Sequence, residues 1–136
     1  MIIDIPLEEA KEISRLDREK MKAYEVEPGE VYQIKNRRHL KPKRCYEEAF
    51  RYMSKCEHPD KVVLVHGLYK PPKLNRYAGH AWIEINGNVI FDGVLQRFYK
   101  KTDYIKYYEA IEEMRYTKKE MFSTGLKNGG HYGPWH

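Results

Sequence analysis

A thiol, an imidazole and a carboxylate follow one another in an order that suits acyl transfer through a thioester. Cys45 lies where a helix is predicted to begin, His80 opens a strand-like run, and Asp92 ends the next short run. In such a set the thiol attacks a carbonyl carbon, the imidazole takes up and returns the proton, and the carboxylate orients the imidazole. Whether the three side chains meet depends on the elements that carry them.

The candidate nucleophile lies in the first turn of a helix predicted from Cys45 to Cys56. The positive end of the helix dipole and the exposed N–H groups of this turn favour a thiolate. The same N–H groups can hold the oxyanion of a tetrahedral intermediate. Cys56 lies at the opposite end of the dipole, and we interpret it as a structural residue. At about 1.5 Å per residue the two cysteines are roughly 16 Å apart, too far for a disulfide.

The imidazole and carboxylate candidates lie on two runs that predict a β-hairpin, residues 79–85 and 88–92. Side chains alternate along a strand, so His80, Trp82 and Glu84 point to one face. Glu84 is a fallback for the orienting carboxylate, but it lies about 13 Å along the strand from His80. We therefore interpret Glu84 as a solvated or structural charge.

The loop of this hairpin decides whether His80 and Asp92 face each other. A two-residue Asn86-Gly87 turn would place Asp92 opposite Ala81, on the wrong face. A three-residue loop with Gly87 in the left-handed conformation and a bulge would pair Asp92 with His80. The sequence permits both loops, and we predict the second.

The other elements complete an α+β plan, in which helices precede and follow an antiparallel sheet. A helix is predicted from Pro6 to about Tyr24, and a short strand over residues 30–34. The apolar run over residues 61–68 predicts a buried central strand. Residues 102–124 predict one or two helices from four apolar side chains at helical spacing: Ile105, Tyr108, Ile111 and Met114.

A single domain is expected over residues 1–136, because this length is sufficient for a hydrophobic core. Its parts are an N-terminal helix and basic loop (1–44), a catalytic-like core (45–95), and C-terminal helices with a tail (96–136). The tail carries a proline and two aromatic residues. It is expected either to fold back over the cleft or to pack on the edge of the domain.

A basic loop precedes Cys45, and it accounts for much of the net charge of +5. Six of the ten residues 35–44 are Lys or Arg, namely Lys35, Arg37, Arg38, Lys41, Lys43 and Arg44. Such a patch can bind nucleic acid, phosphate or an acidic protein, or it can be a solvated loop. Its cations would also favour the Cys45 thiolate.

Composition and spacing argue against several other classes of protein. No stretch approaches the roughly 20 apolar residues that span a bilayer, so we expect no membrane partner. The N-terminus becomes polar too early for a secretory signal, so a cytoplasmic location is expected. Two cysteines are too few for a disulfide framework. The six histidines lack metal-ligand spacing, so we expect no metal ion and no cofactor.

Three segments together resemble the transglutaminase-like and papain-like cysteine hydrolases: Cys45–Ala49, Gly79–Glu84 and Val89–Asp92. In that superfamily a nucleophilic Cys opens a helix, and a His-Ala-Trp strand is followed one strand later by an Asp. The resemblance implies a nucleophile helix packed on a small antiparallel sheet. It also implies that Cys45 is the nucleophile, that His80 is the base and acid, and that Asp92 is the orienting group.

The resemblance implies further site residues as well. A side chain upstream of the Cys would complete the oxyanion hole, and Gln33 and Asn36 are the candidates, with Tyr32 or Tyr46 as alternatives. Candidates for the substrate cleft are Trp82, Tyr46 and Trp135. The chain departs from the superfamily where Arg44 replaces a frequent Gly before the Cys, and where Gly-Val follows Asp92 instead of Pro-Thr.

The sequence therefore predicts a cysteine hydrolase or acyltransferase that acts on amide bonds of a peptide or protein, as a protease, deamidase or transglutaminase-like enzyme. The alternative is a binding module on the same fold that contacts nucleic acid or an acidic protein through residues 35–44. A third interpretation is an interaction protein whose triad is a relic.

Overall fold

The chain forms an α+β structure in which helices pack on both faces of an antiparallel sheet. The structure is a computed structural model that describes residues 43–56, 59–71, 74–95 and 97–135. Apart from a short 3-10 turn at Pro59–Lys61, the elements are, in order, α1 (Cys45–Lys55), β1 (Val62–Tyr69), β2 (Ala78–Ile85), β3 (Val89–Asp92), β4 (Arg97–Lys100), α2 (Lys101–Tyr108), β5 (Ile111–Tyr116) and α3 (Lys118–Lys127).

The sheet has five strands in the order β4-β3-β2-β1-β5, and all neighbouring strands are antiparallel. The apolar run predicted as a buried strand is β1, which lies between β2 and β5. The two strands of the predicted hairpin are β2 and β3. The predicted α+β class is therefore confirmed.

Alternation along the strands divides the core into two layers. On one face, α1 and α3 pack on side chains such as Ala81 and Ile83. On the other face, α2 packs on Trp82 and its neighbours, and Tyr104 and Tyr108 of α2 are fully buried there. Because His80 has the same parity as Trp82, the strand directs the imidazole to the α2 face.

Helix α1 follows its prediction closely, from Cys45 to Lys55. Its apolar stripe is buried, with Ala49 and Met53 both 0% exposed. A Cβ atom built on Gly93 would lie 2.5 Å from the Cβ of Glu48, so only glycine allows this approach of the turn after β3. The N-terminal half of α1 is therefore packed directly on the segment that follows Asp92.

The predicted register of the β2–β3 hairpin is wrong, but the prediction that Asp92 and His80 lie on the same face of the sheet is right. Ile85 pairs with Val89, and Glu84 pairs with Ile90, so extending the ladder places Asp92 opposite Trp82. Asn86 and Gly87 both have positive φ, and Asn88 adds a third loop residue that neither predicted loop included.

The observed register differs from the predicted one by two residues. An even shift leaves every side chain on its original face, whereas an odd shift would reverse it. Asp92 is therefore a diagonal neighbour of His80, a relation across which long side chains can still meet.

The prediction of helices throughout residues 102–124 is wrong for Ile111 and Met114. Both lie in β5 and are more than 40% exposed, and β5 pairs with β1. Glu109 adopts a left-handed conformation that ends α2, and Thr117 begins α3 with a capping box. The spacing of three residues matched a helix by coincidence, and the sheet edge of β1 decided the outcome.

Several predictions lie outside the described residues. These are the helix from Pro6 to about Tyr24, the strand over residues 30–34, and residues 35–42 of the basic loop. Among the helices that the structure describes, none is long and apolar enough to cross a membrane.

Candidate active site

His80 is held in place by the neighbouring strand and by an aromatic ring. It is 1% exposed, and its cross-strand partner on β1 is Gly67. The ring of Tyr69 stacks on the imidazole with centroids 3.8 Å apart and an interplanar angle of 16°. A Cβ atom on Gly67 would clash with the carbonyl oxygen of Ile111 and lie 3.0 Å from the indole of Trp82, so glycine allows β5 and the indole to pack here. These contacts leave the imidazole little rotational freedom.

Asp92 accepts four hydrogen bonds in a fully buried environment. Its Oδ2 lies 3.1 Å from Nε2 of His80 and accepts a 2.5 Å bond from the hydroxyl of Tyr104. Its Oδ1 accepts from the backbone N–H groups of Val94 and Leu95, at 2.9 and 3.0 Å. Both oxygens are thus satisfied as acceptors, which is the arrangement that keeps a buried carboxylate ionised.

The third member of the set, Cys45, is a free cysteine that is partly exposed at the start of α1. Its side chain lies close enough to His80 to raise the pKa of the imidazole. Because Nε2 of His80 faces Asp92, Nδ1 is the ring nitrogen available to the sulfur. The structure therefore brings together the three residues that the sequence singled out, as a chain from thiol to imidazole to carboxylate.

The electrostatics of the site favour a protonated imidazole. Burial lowers the pKa of His80, but the charge and hydrogen bond of Asp92, and those of Cys45, outweigh it and raise the pKa to about 9. Burial alone would raise the pKa of Asp92, but the His80 cation and the hydrogen bonds from His80, Tyr104 and Leu95 lower it below its usual range. At neutral pH the pair is therefore an imidazolium beside a carboxylate.

The start of α1 is also suited to hold a negative charge. The N-cap residue Arg44 makes no side-chain hydrogen bond to the end of the helix. Its guanidinium instead contacts the carboxylates of Glu47 and Glu48, the second at 3.3 Å. The first-turn N–H groups of a helix have no partner within the helix, so those beside the Cys45 sulfur suit an oxyanion.

Sequence reasoning missed two residues that contact the imidazole or its carboxylate. Tyr104 bonds Asp92 and also lies 3.1 Å from Nε2 of His80, and Tyr69 stacks on the ring. Tyr104 lies 12 residues after Asp92. The available signal was a tyrosine in the first turn of the helix predicted after the hairpin. Nothing in the sequence distinguishes this tyrosine from a core residue.

Glu84, the fallback carboxylate, has a structural role. Its carboxylate accepts from Lys101 at 2.5 Å and from Arg115 at 2.6 Å, and the residue is 5% exposed. Burial would raise its pKa, but the hydrogen bonds from Arg115 and Lys101 lower it. This ion pair joins β2 to β5 and to the start of α2.

The cleft candidates differ in their positions. Trp82 is 1% exposed in the core layer beneath α2, so it supports His80 from within rather than lining an open cleft. Tyr46 is partly exposed, and its hydroxyl lies against Gly79, where a Cβ atom would be only 2.8 Å away. Tyr46 follows Cys45 in the chain, and its hydroxyl reaches the residue that precedes His80. It therefore stays a candidate for the substrate cleft.

Trp135 packs with the C-terminal tail on the outside of α1 and β1. Its ring lies 6.3 Å from that of Phe50, 5.2 Å from that of Tyr116 and 5.0 Å from that of His66. Its indole N–H donates to the carbonyl oxygen of His131 at 2.9 Å. The tail also approaches the cleft candidate Tyr46, because a Cβ atom on Gly133 would lie 3.3 Å from its ring, so both expectations for the tail stay predictions.

The oxyanion-hole candidates Gln33 and Asn36 lie outside the described residues, as do Arg37, Arg38 and Lys41 of the basic patch. Lys43 and Arg44 are described, and both are exposed. Within the described part of the chain, no group of three or more His, Cys, Asp or Glu residues could hold a metal ion.

Comparisons with known proteins do not assign this chain to a family. No protein-family model matches the sequence, and searches of curated proteins and of solved structures also found no match.

Proposed function

We propose that this protein is a cysteine-dependent hydrolase or acyltransferase that acts on amide bonds of peptides or proteins through a thioester. The observation that carries the proposal is that His80 is hydrogen-bonded to Asp92 on one side and interacts with the Cys45 side chain, which raises its pKa. A buried imidazole with a raised pKa, placed between a thiol and an ionised carboxylate, is what nucleophilic thiol chemistry requires.

The fold supports the same proposal. A helix that opens on Cys45 packs against an antiparallel sheet whose adjacent strands carry His80 and Asp92. This arrangement resembles the transglutaminase-like and papain-like enzymes, in which the start of the helix serves the nucleophile and the oxyanion. We therefore assign the chain to that architecture as part of the proposal.

The chemistry follows from the contacts. The Cys45 thiolate attacks the carbonyl carbon of the amide, and the oxyanion develops beside the first-turn N–H groups of α1. The His80 imidazolium gives its Nδ1 proton to the nitrogen of the amide, so the C–N bond breaks and an amine leaves. A water molecule or a second amine then attacks the thioester, gives a proton to Nδ1, and releases the acyl group from Cys45.

A covalent acyl adduct on Cys45 tests this proposal. Incubation with p-nitrophenyl acetate should release p-nitrophenolate in a burst and add one acetyl group to the Cys45 peptide, as detected by mass spectrometry. The adduct should be lost with hydroxylamine, as a thioester is. A primary amine added during turnover should divert part of the acetyl group to the amide if acyl transfer competes with hydrolysis.

Three variants provide the controls. Cys45→Ser should form no thioester, and His80→Ala should slow acetylation by about a hundredfold or more because the thiol loses its base. Cys56→Ser should behave like the wild type, since Cys56 is buried at the other end of α1. Equal acetylation of Cys45 and Cys56, or no effect of His80→Ala, would contradict the proposal.

A further inference from the structure

We propose that Tyr104 is a positioning residue of this site, whose hydroxyl holds Asp92 in the ionised state and in the orientation that fixes His80. The inference rests on the proposed function, in which the imidazole of His80 serves Cys45. It extends the three-residue set to a fourth side chain, which comes from α2.

The hydrogen-bond pattern fixes the role of the phenol. An ionised carboxylate is only an acceptor, so the 2.5 Å contact means that Tyr104 donates its proton to Oδ2 of Asp92. The lone pairs of the same hydroxyl face Nε2 of His80 at 3.1 Å. The Nε2–H group thus meets two acceptors, which places the ring proton on Nε2 and leaves Nδ1 for the sulfur.

The burial of the phenol makes this contact specific. Tyr104 is 0% exposed, and burial, together with the charge of Asp92, raises its pKa well above the usual range. The phenol therefore keeps its proton and remains a donor at neutral pH. Water has no access to replace it, so Asp92 depends on this donor for one of its four hydrogen bonds.

Helix α2 is attached to the sheet near both of its ends. At its start, the ammonium of Lys101 binds Glu84 at 2.5 Å. At its end, the carbonyl oxygen of Tyr108 accepts from the backbone N–H of Lys70 at 2.7 Å. These attachments hold Tyr104 at a fixed distance from Asp92, which a positioning residue requires.

The groups that face the carboxylate and the imidazole come from five elements. Asp92 faces His80 of β2 and Tyr104 of α2, and its cross-strand partner on β4 is Arg97. His80 also faces Cys45 of α1 and Tyr69 of β1. Of the donors to Asp92, the tyrosine can lose its hydrogen bond through removal of one oxygen atom while its ring stays in the core.

The test compares Tyr104→Phe with Tyr99→Phe, a buried tyrosine in the same core layer whose ring lies 5.6 Å from that of Tyr104. The first readout is the titration of the Asp92 carboxyl carbon by 13C NMR. In Tyr104→Phe the midpoint should rise by about one pH unit, because a donor to the charged form is lost. In Tyr99→Phe it should stay at the wild-type value.

The second readout is the rate of iodoacetamide alkylation at Cys45. The ratio of the rate at pH 5 to the rate at pH 8 should fall about three- to tenfold in Tyr104→Phe. The reason is that Asp92, without this donor, stabilises the His80 imidazolium less well at low pH. A purely structural role would lower thermal stability and leave this ratio unchanged. A wild-type ratio in Tyr104→Phe would overturn the positioning role.

A second substitution keeps the test decisive if Tyr104→Phe does not fold. Replacement of Tyr104 by 3,5-difluorotyrosine preserves the hydroxyl but makes it a stronger donor, so the Asp92 midpoint should fall. An unchanged midpoint with this residue would overturn the inference. If Cys45 in the wild type proved independent of His80, the proposed function would fail, and the Asp92 titration would still show whether Tyr104 holds the carboxylate.

Discussion

At the scale of single residues, the feature that sets this site apart is a fully buried histidine that carries a charge. A buried imidazole is usually neutral, because burial disfavours its cation. Here Asp92 and Cys45 reverse that preference and raise the pKa of His80 to about 9. The chain thus maintains a charged pair inside its core, where catalysis can use it and stability must accommodate it.

The raised pKa of His80 predicts how stability depends on pH. An unfolded histidine has a pKa near 6.5, so between about pH 6.5 and 9 the folded state binds a proton that the unfolded state does not. The stabilisation from this proton is fully present below about pH 6.5 and is lost as the pH rises through about 9. The free energy of unfolding should fall over that range by up to about 3 kcal/mol.

Urea denaturation at a series of pH values measures this slope. His80→Gln should abolish it, whereas His131→Gln, which replaces an exposed histidine, should retain it. The same slope in His80→Gln and in the wild type would show that His80 does not hold the proton.

At the scale of elements, the close contact between α1 and the turn after β3 connects the nucleophile to the carboxylate. Gly93 lies against the backbone of α1. A Cβ atom built on this glycine would be 3.3 Å from the carbonyl carbon of Glu48. Asp92 precedes this glycine, and the backbone N–H of Val94, which follows it, donates to the same Asp92 carboxylate. Any shift of the helix should therefore alter the geometry at both ends of the site.

Gly93→Ala tests this coupling. The added methyl group must displace α1 or the turn, which should cost about 1–3 kcal/mol of stability and reduce the alkylation rate of Cys45 several-fold. Gly87→Ala is the control, because it strains a left-handed residue that has no neighbour within 4 Å. It should lower stability by about 1 kcal/mol without changing the reactivity of Cys45. Equal reactivity in both variants would contradict the coupling.

How far the sequence predicts the structure depends on whether the signal is local. The start of α1 at Cys45, the apolar strand β1 and the β2–β3 hairpin each have a signal within their own residues, and each was predicted. Strand β5 has none, since Ile111 and Met114 are exposed and its partner strand lies far along the chain. Its formation depends on the hydrogen-bonding edge that β1 offers, a tertiary effect that overrides periodicity.

The site shows the same limit at single residues. The types and order of Cys45, His80 and Asp92 were sufficient to propose their contact. Tyr104 could not be found this way, because its role arises when α2 folds across the face of the sheet. Whether Asn88 belongs to the loop likewise depends on how β2 and β3 pair. For this reason the predicted register differs from the observed one by two residues.

At the scale of the whole molecule, the sheet separates two packed layers and the site connects them. Helix α1 packs on one face with Cys45 at its start, while α2 packs on the other face and contributes Tyr104. The thiol and the phenol therefore approach the same imidazole from different layers of the fold. This arrangement explains why one strand residue, His80, can respond to groups from helices that share little contact with each other.

The central claim is that His80 activates Cys45, and the pH dependence of Cys45 alkylation tests it most directly. Iodoacetamide rates should be measured at Cys45 from pH 5 to 10 in the wild type, in His80→Ala and in the control His131→Gln, which replaces an exposed histidine. The account predicts that the wild-type and His131→Gln rates at pH 6 lie within about tenfold of those at pH 9. In His80→Ala the rate at pH 6 should be lower by about a hundredfold or more, as for an ordinary thiol. The same steep fall in the wild type and in His80→Ala would contradict the account.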